Sequence, residues 1–584
     1  MRAVLADLST HVVQLGLLFL VGALLARRFS AHTAALVAGG LALFGVVSYA
    51  VGAIWYLSPV VGIWMSRSVP ILCAVVLILA AVRLRPLLVE VVRSVAVPFV
   101  LTVLYAAMIL GLGFMYGGYS TATNTAAGRF SWLLPVDNTL PYRFASHIEQ
   151  FGHSVPVPHV GDWLSSDRPP LQSAIMLTQV LWHKEGAAAL LDYQVLGTLL
   201  QSMWVLGLWA LIHALVVRRA TVALCIASAA GCGVIMLNTF FVWPKLLAAT
   251  FALASAALIL TGDSRRSTLR LTGAAVLASL AYLSHGGTMF VLVPLAVVAL
   301  VRALRGRHWW ATLACAGLST TALVLPWIWY QRVVDPPGDR LLNQMLAGIN
   351  GIDPRSPVTA ITDQYRAVGW SGAAANKLQN LEQLFMNPLG PTLTDRTSQG
   401  ISYFQAVISV IREQYFYSLL PAAGLLLILA FGWVRPRLAY RGDLRAATIL
   451  ILVGTACSLF WCLAMFGPRT TYTHQGTFTL VLLLTSALTC AGAARSIRWT
   501  TVVVAASAVI SLVVYVPQFP IGSLPWTLHP QVSAFALGIF ALGLVAFVAL
   551  LWAYGSSRQS SPAVETLPQS RDVVGLARLS AARE

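Results

Sequence analysis

Residues 218–266, "RRATVALCIASAAGCGVIMLNTFFVWPKLLAATFALASAALILTGDSRR", indicate the fold class of this chain. It begins and ends with a pair of arginines and contains two long apolar runs, at 219–238 and 240–261. Each run is long enough to cross a bilayer, which takes about 17–25 helical residues. Because arginines concentrate in cytoplasmic connections, both ends of this stretch are predicted on the cytoplasmic side of the membrane and the turn near Lys245 on the opposite side. The stretch therefore predicts a pair of transmembrane helices.

The same pattern extends along the whole chain. It has 584 residues, of which 58% are hydrophobic and only 10% are charged, and its mean hydropathy is +0.77. Soluble proteins carry roughly 25% charged residues, so we predict an all-α polytopic membrane protein with about fifteen transmembrane helices and two long extracytoplasmic loops. The predicted spans are 10–26, 33–57, 69–89, 94–116, 188–216, 219–238, 240–261, 269–285, 287–304, 309–330, 416–434, 444–467, 475–493, 498–516 and 531–553.

Charge predicts the orientation of these spans. Clusters of arginine follow every second span, starting with Arg27 and Arg28 after the first. The alternate connections are nearly free of arginine, apart from Arg67, Arg469 and the two long loops. The positive-inside rule then places the N-terminus outside and the C-terminal tail inside. The formal net charge of +18 arises from these clusters rather than from a continuous basic face, so no nucleic-acid partner is predicted.

The predicted organisation has six parts. They are four N-terminal transmembrane helices (1–117), a first extracytoplasmic loop (118–187), transmembrane helices five to ten (188–330), a second extracytoplasmic loop (331–415), transmembrane helices eleven to fifteen (416–555) and a polar cytoplasmic tail predicted to be disordered (556–584). Most carboxylates lie in the two outer loops. We therefore expect a multi-pass protein of the inner or plasma membrane that does its chemistry at the extracytoplasmic face.

The first outer loop has a defined order of elements. Pro141 opens the segment "YRFASHIEQFG", which predicts a short amphipathic helix that lies on the bilayer and ends at Gly152. A proline-rich segment follows this helix. The stretch "VGDWLSSDRPPLQSAIML", residues 160–177, then places Asp167 and Arg168 directly before two prolines and a second apolar helix.

This order resembles the first outer loop of the membrane-embedded GT-C glycosyltransferases, especially the branch with the bacterial aminoarabinose transferase and the protein O-mannosyltransferases. Their loop begins with an acid at the end of a span, continues through an in-plane helix and reaches "gdW" and "(D/H)(K/R)PPL" elements. Asp137 matches the leading acid, residues 161–163 match "gdW", and residues 167–171 match the "PPL" element. The resemblance covers residues 130–200. Asn138 stands where many relatives have a second acid, which argues against a carboxylate pair or a metal there.

The resemblance implies transfer of a sugar from a polyprenyl-phosphate donor to a glycan, lipid or protein acceptor, with Asp137 as the general base. Such a reaction needs a base for the acceptor hydroxyl, and Arg168 can hold phosphate oxygens through two parallel N–H bonds. Asp162 and Asp167 are further binding candidates. Alternatively, Arg168 pairs with Asp167 or Asp162, and each aspartate is only a turn cap. These relatives usually have one span before the loop, so the first four helices are interpreted as an added module.

Four more residues on the predicted outer side are candidates for binding the donor phosphate or the sugar. Lys245 either contacts the donor phosphate or snorkels to the membrane interface. His285 lies in a short turn next to two glycines. The glycines alone are enough to explain the turn, so the alternative is that His285 has no function. Arg469 and His474 lie in "FGPRTTYTHQGTF", which is either a sugar- or phosphate-binding turn or an interfacial turn rich in aromatic residues.

No cofactor is predicted with certainty. The chain has no nucleotide-binding glycine loop and no zinc-protease motif. His147, His153 and His159 recur every six residues, a spacing that does not place them on one helical face. A divalent metal is possible, but the sequence does not support one.

Two alternatives to the glycosyltransferase remain. An O-antigen-type polymerase or ligase also has many spans and two sizeable outer loops, although it lacks the order of acid and "PPL" element. A lipid or glycan transporter is less favoured, because transporters concentrate ionisable residues within the membrane and show inverted repeats. The spans of this chain are nearly free of carboxylates and show no repeat.

Overall fold

The computed structural model describes residues 2–115, 136–161, 163–215, 217–260, 267–385, 403, 440–467, 477–516 and 532–557. Across these ranges the chain is helical, and its one β feature is an isolated bridge between Val160 and Trp163. Ten of the described helices are long and apolar enough to cross a membrane, and a bent pair supplies an eleventh candidate. The protein is therefore a polytopic helical membrane protein.

The helices before the second polar region are α1 (Arg2–Arg27), α2 (Thr33–Leu57), α3 (Pro59–Arg83), α4 (Arg85–Gly113), α5 (Leu140–Phe151), α6 (Leu171–Thr178), α7 (Gly186–Ser202), α8 (Trp204–Ala214), α9 (Arg219–Ala230), α10 (Gly233–Phe241), α11 (Lys245–Leu260), α12 (Ser267–Ser284), α13 (Met289–Leu304) and α14 (Trp309–Trp329). Those after it are α15 (Arg340–Ala347), α16 (Pro357–Phe385), α17 (Arg441–Ala464), α18 (Thr477–Arg495), α19 (Ile497–Tyr515) and α20 (Ala534–Ser556). Each predicted span contains a described helix except 416–434, which lies outside the described residues. Three apolar segments within α11, α12 and α19, namely Lys245–Leu260, Thr268–Ser284 and Ile497–Val513, are shorter, at 10–17 residues.

The third and fourth spans begin earlier than the sequence predicts. Instead of 69–89 and 94–116, the structure has α3 and α4. The early start of α3 is explained by its cap, because Ser58 Oγ accepts a hydrogen bond from Val61 N–H and a proline occupies the first turn. Arg67, which delayed the predicted start, lies inside α3 and donates to a loop carbonyl. A single cation is thus tolerated in this helix.

Several helices in the middle of the chain are broken. The span formed by α7 and α8 is interrupted at Met203, and α9 meets α10 at an angle of 64°. Another break separates α10 from α11 at Val242, whose φ of 56° lies in the left-handed region. A β-branched residue rarely adopts this conformation, so the surrounding contacts must hold it in place.

The basic connections meet at one end of the bundle. Arg27 of α1 forms two hydrogen bonds of 3.0 Å with Glu90 near the start of α4. Arg218 Nε donates to the buried Asp443 of α17 at 2.8 Å. Arg302, near the end of α13, donates to a carbonyl at the end of α11. These contacts define what we call the basic end, which the positive-inside rule predicts to face the cytoplasm.

The opposite end of the bundle contains the loop helices α5, α6, α15 and α16, and we call it the loop end. The N-terminal helices are part of it, since α2 packs against α6. A Cβ atom added at Gly52 of α2 would lie 2.4 Å from the Cβ of Ala174 in α6. Glycine is therefore required for this close approach, and α2 directly supports the loop that carries Asp137.

Candidate functional site

Asp137 lies at the loop end, in the 3-10 turn Val136–Thr139 that leads into α5, and its side chain is 8% exposed. Its Oδ2 atom forms an ion pair with the guanidinium of Arg168. Its Oδ1 atom accepts a 2.6 Å hydrogen bond from Trp243 Nε1. The leading acid and the arginine of the "PPL" element, 31 residues apart in sequence, are thus in direct contact.

The break before α11 places Lys245 beside this ion pair. The carbonyl of the left-handed Val242 accepts a 3.0 Å hydrogen bond from Gln172 Nε2. Trp243 follows and is 2% exposed. The Nζ atom of Lys245 lies 3.5 Å from the centre of the Trp243 ring, which is a cation–π geometry. The amino group of Lys245 is close enough to interact electrostatically with both Asp137 and Arg168.

Buried amide side chains hold this break in place. Gln201 Oε1 accepts hydrogen bonds of 3.0 Å from two backbone N–H groups in the first turn of α11, and its Nε2 donates to Gln172 Oε1 at 3.2 Å. Tyr193 donates to the carbonyl of Asn138 at 2.6 Å, and Asn138 Nδ2 donates to the carbonyl of Phe241 at 3.2 Å. Asn138 is therefore a link in the scaffold. Sequence reasoning missed the glutamines and Tyr193, because single polar residues within or beside apolar runs give no signal there.

His285 lies between α12 and the 3-10 turn Gly286–Thr288 and is 4% exposed. Its Nδ1 atom accepts a hydrogen bond of 3.1 Å from Gly287 N–H. Burial lowers the pKa of His285, and the positive charges of Lys245 and Arg168 act in the same direction. A neutral ring with Nδ1 as the acceptor carries its proton on Nε2. The imidazole can thus donate one hydrogen bond.

A further cation reaches the site from the second loop. The guanidinium carbon of Arg340 lies 4.6 Å from the centre of the Trp163 ring, and that of Arg168 lies 4.3 Å from the same centre. Arg340 Nη1 also lies 3.4 Å from Asp167 Oδ2, which accepts a 2.9 Å hydrogen bond from Leu164 N–H. Burial raises the pKa of Asp167 despite these contacts. Sequence reasoning missed Arg340, because no spacing relates it to the first loop.

The two loops form one structure around the "PPL" element. Asp335 Oδ2 accepts hydrogen bonds from Ser165 Oγ at 2.6 Å and from Ser166 N–H at 2.9 Å. Tyr330 and Ser165 share a hydrogen bond of 2.6 Å between their hydroxyls, and Gln331 Nε2 donates to the carbonyl of Ser166 at 2.9 Å. The position of Arg168 therefore depends on residues from both loops.

An apolar groove with a volume of about 400 Å³ opens beside Arg168. It runs between α2, α5, α6 and the end of α14. Its aromatic and aliphatic lining includes Tyr49, Tyr56, Phe144, Ile148, Leu177 and Trp327. Among the described lining residues, Arg168 is the one lysine or arginine. The groove has the size and apolar character of a ligand pocket, with a cationic group at one side.

The structure thus brings together Asp137, Arg168, Lys245, His285 and Asp167. Among the described residues, the ion-pair partner of Arg168 is Asp137 rather than the neighbouring Asp167, and the alternative pairing with Asp162 lies outside the described residues. The other three predicted residues, Asp162, Arg469 and His474, lie outside the described residues.

The loop histidines make backbone contacts. His147 Nε2 lies 3.0 Å from the carbonyl of Val155, and His153 Nδ1 lies 3.2 Å from the carbonyl of Tyr56. Within the described parts of the chain, no three His, Cys, Asp or Glu side chains converge as metal ligands.

We expect Trp243→Phe to lower the free energy of unfolding while keeping an aromatic ring at this position. The change removes the N–H group that donates a hydrogen bond to Asp137, and it keeps an aromatic ring next to Lys245. Hydrogen bonds to charged groups contribute roughly 1.5–3 kcal/mol, so the free energy of unfolding should fall by about 2 kcal/mol in a denaturant titration in detergent micelles. Trp370→Phe is the matched control, because Trp370 is 94% exposed. Equal stability of wild type and Trp243→Phe would contradict the hydrogen bond to Asp137.

Comparison of the chain with protein-family models, with curated proteins and with solved structures found no match. The residues of the site are therefore the basis on which a function can be proposed.

Proposed function

We propose that the protein is an integral-membrane glycosyltransferase of the GT-C type that transfers a sugar from a polyprenyl-phosphate donor. The observation that carries this proposal is the buried Asp137–Arg168 ion pair beside an apolar groove. A base and a phosphate-binding cation next to a groove for a lipid chain are what this reaction requires. The acceptor is a glycan, lipid or protein of the cell envelope, and the site faces the extracytoplasmic side.

The cations around Asp137 support binding of the donor phosphate. Arg168 and Arg340 lie against the same Trp163 ring, and Lys245 interacts electrostatically with Arg168. Among the described residues, the buried Nε of Arg168 has no hydrogen-bond partner. This atom is available to a phosphate oxygen, and arginine binds phosphates well because its donors lie in one plane.

The transfer step follows from this arrangement. The acceptor hydroxyl oxygen forms a bond to the anomeric carbon of the sugar, and the bond from that carbon to the phosphate oxygen breaks. The lipid phosphate leaves with the bonding electrons and is stabilised by Arg168 and Lys245. The hydroxyl proton passes to Asp137. Positioned cations that meet developing negative charge commonly make the largest single contribution to catalysis.

The ion pair also determines the order of events. Without a donor, Arg168 neutralises Asp137. A donor phosphate competes for the same guanidinium, and when Arg168 turns to the phosphate, the carboxylate becomes available to the acceptor. Donor binding therefore precedes activation of the base. This exchange protects the activated sugar from attack before the site is complete.

The direct test uses purified protein in lipid nanodiscs with radiolabelled polyprenyl-phosphate pentoses and hexoses and with cell-envelope acceptors. Formation of a new glycosidic bond and release of polyprenyl phosphate would support the proposal. Growth of a diphosphate-linked oligosaccharide would instead identify a polymerase. Movement of the labelled lipid across vesicles without bond formation would identify a transporter, and either result overturns the proposal.

We expect Ala53→Trp to impair use of long-chain donors selectively. Ala53 is exposed and lines the groove, so the larger side chain excludes part of the prenyl chain. Excluding ~55 Å² of apolar surface costs about 1.4 kcal/mol, which is a tenfold rise in KM. Steady-state kinetics with long- and short-chain donors measure this, and Val60→Trp, at a 70% exposed position of α3, is the control. A rise in KM that is independent of chain length would exclude the groove as the prenyl site.

A further inference from the structure

A second cavity lies at the basic end, remote from the Asp137 site. Its volume is about 700 Å³, and it lies between α1, α2 and α12 with contributions from the ends of α8 and α11. On its inner side, α2 and α12 meet closely, because a Cβ added at Gly45 would lie 2.6 Å from Leu280 Cδ1. The cavity therefore lies between this contact and the basic end, and it is separate from the apolar groove.

The inner wall of this cavity is apolar. It is formed by small and aliphatic residues that include Ala35, Ala38, Ala42, Leu258 and Leu277. Its rim carries apolar side chains that are exposed on the protein surface, namely Leu25 (48%), Phe29 (51%) and Leu269 (46%). An apolar rim on a membrane-spanning bundle faces lipid rather than water. The occupant is thus expected to enter from the bilayer.

The polar residues that line the cavity suit an anion. Arg270 of α12 lines it, and so does His32, the N-cap of α2. His32 Nδ1 accepts a hydrogen bond of 3.3 Å from Ala34 N–H, so a neutral ring can donate through Nε2 to a phosphate oxygen. The N-terminal ends of α2 and α12 add partial positive charge at this end. Among the described lining residues none is acidic.

We propose that this cavity binds an anionic glycerophospholipid of the leaflet at the basic end. One acyl chain occupies the apolar cavity, and the headgroup phosphate lies at Arg270 and His32. Basic pockets between transmembrane helices on the cytoplasmic side are suited to anionic lipid headgroups. Such a lipid bridges α2 and α12, which run from this cavity to the loop end, where α2 lines the groove and α12 precedes His285. Binding therefore stabilises the bundle that carries the site.

The test uses native mass spectrometry of the full-length protein after delipidation, with phosphatidylglycerol or phosphatidylcholine added back. We expect the wild type to retain phosphatidylglycerol about tenfold better than phosphatidylcholine. Arg270→Gln should abolish this preference, whereas Arg498→Gln, at an exposed position of α19, should keep it. Ala42→Phe, which fills the half-buried wall, should reduce retention of both lipids. The chain-free headgroup glycerophosphoglycerol should not compete.

Thermal unfolding of the same samples separates lipid binding from misfolding. Each variant should melt like the delipidated wild type when no lipid is added, and phosphatidylglycerol should raise the melting temperature of the wild type and of Arg498→Gln only. Equal retention of the two lipids by the wild type overturns the proposal, as does an unchanged preference in Arg270→Gln. Competition by glycerophosphoglycerol would show a site for a soluble phosphate instead. These readouts do not involve sugar transfer and are independent of the proposed function.

Discussion

Asp137→Asn should reduce sugar transfer by about 10²–10⁴-fold, the usual contribution of a general base, while the protein remains folded. The amide oxygen can still accept the hydrogen bond from Trp243 Nε1, so local geometry is retained. What is lost is the carboxylate that we propose as the acceptor of the hydroxyl proton. The reduction should appear in the rate constant kcat, measured with saturating donor and acceptor.

The same substitution also tests the exchange of partners. Asparagine cannot hold Arg168 in an ion pair, so the guanidinium is released to the donor phosphate. The KM for the donor should therefore stay constant or fall while kcat drops. Glu149→Gln is the control, because this loop acid pairs only with His183 on the surface among the described residues and should leave both constants within twofold of wild type. Full activity of Asp137→Asn would refute the assignment of the base.

Arg168→Gln should lower kcat/KM by about 10²–10³-fold, which is the effect of removing one donor to developing negative charge. The change removes the charged fork beside the groove and also leaves Asp137 without its cationic partner. A buried carboxylate without a counter-charge is destabilising, so unfolding must be measured alongside the kinetics. In contrast to Asp137→Asn, the KM for the donor should rise.

Arg168→Lys distinguishes the contribution of the positive charge from that of the planar guanidinium group. Lysine keeps the positive charge but lacks the planar fork and its stacking on Trp163. Its activity should lie between those of wild type and Arg168→Gln. Arg67→Gln is the control, since Arg67 also lies at the loop end, where it donates to the carbonyl of Leu181, and contacts no residue of the site that the structure describes. A donor KM unaffected in both Arg168 variants would exclude Arg168 as the phosphate ligand.

Part of the site could be predicted from sequence because it lies in local patterns. The resemblance to the first outer loop of the GT-C glycosyltransferases drew attention to Asp137 as its leading acid and to Arg168 in the "DRPPL" element. Lys245 and His285 stood out as ionisable residues next to apolar runs. These signals come from short sequence elements and from their order along the chain. None of them contains information about which distant segment the residue contacts.

The polar residues that align the site could not be predicted in this way. Gln172, Gln201 and Tyr193 lie among apolar residues, and their role depends on hydrogen bonds to the chain around Val242. Arg340 comes from a different loop and reaches the site only because Asp335 and its neighbours dock on Ser165. Contacts between segments so far apart in sequence arise from packing, which local pattern does not encode.

The amino-acid sequence alone was enough to predict a helical membrane protein, because the bilayer forces every spanning segment to satisfy its own backbone hydrogen bonds and to be apolar over a fixed length. It also determined that arginine alternates between connections, since charge is costly to move across the membrane. The pairing of Arg168 with Asp137 rather than with Asp167, by contrast, is seen only in the tertiary structure. That choice depends on the break at Val242, which places Trp243 and Lys245 beside the carboxylate, and on α2 and α6 packing closely enough to form the groove.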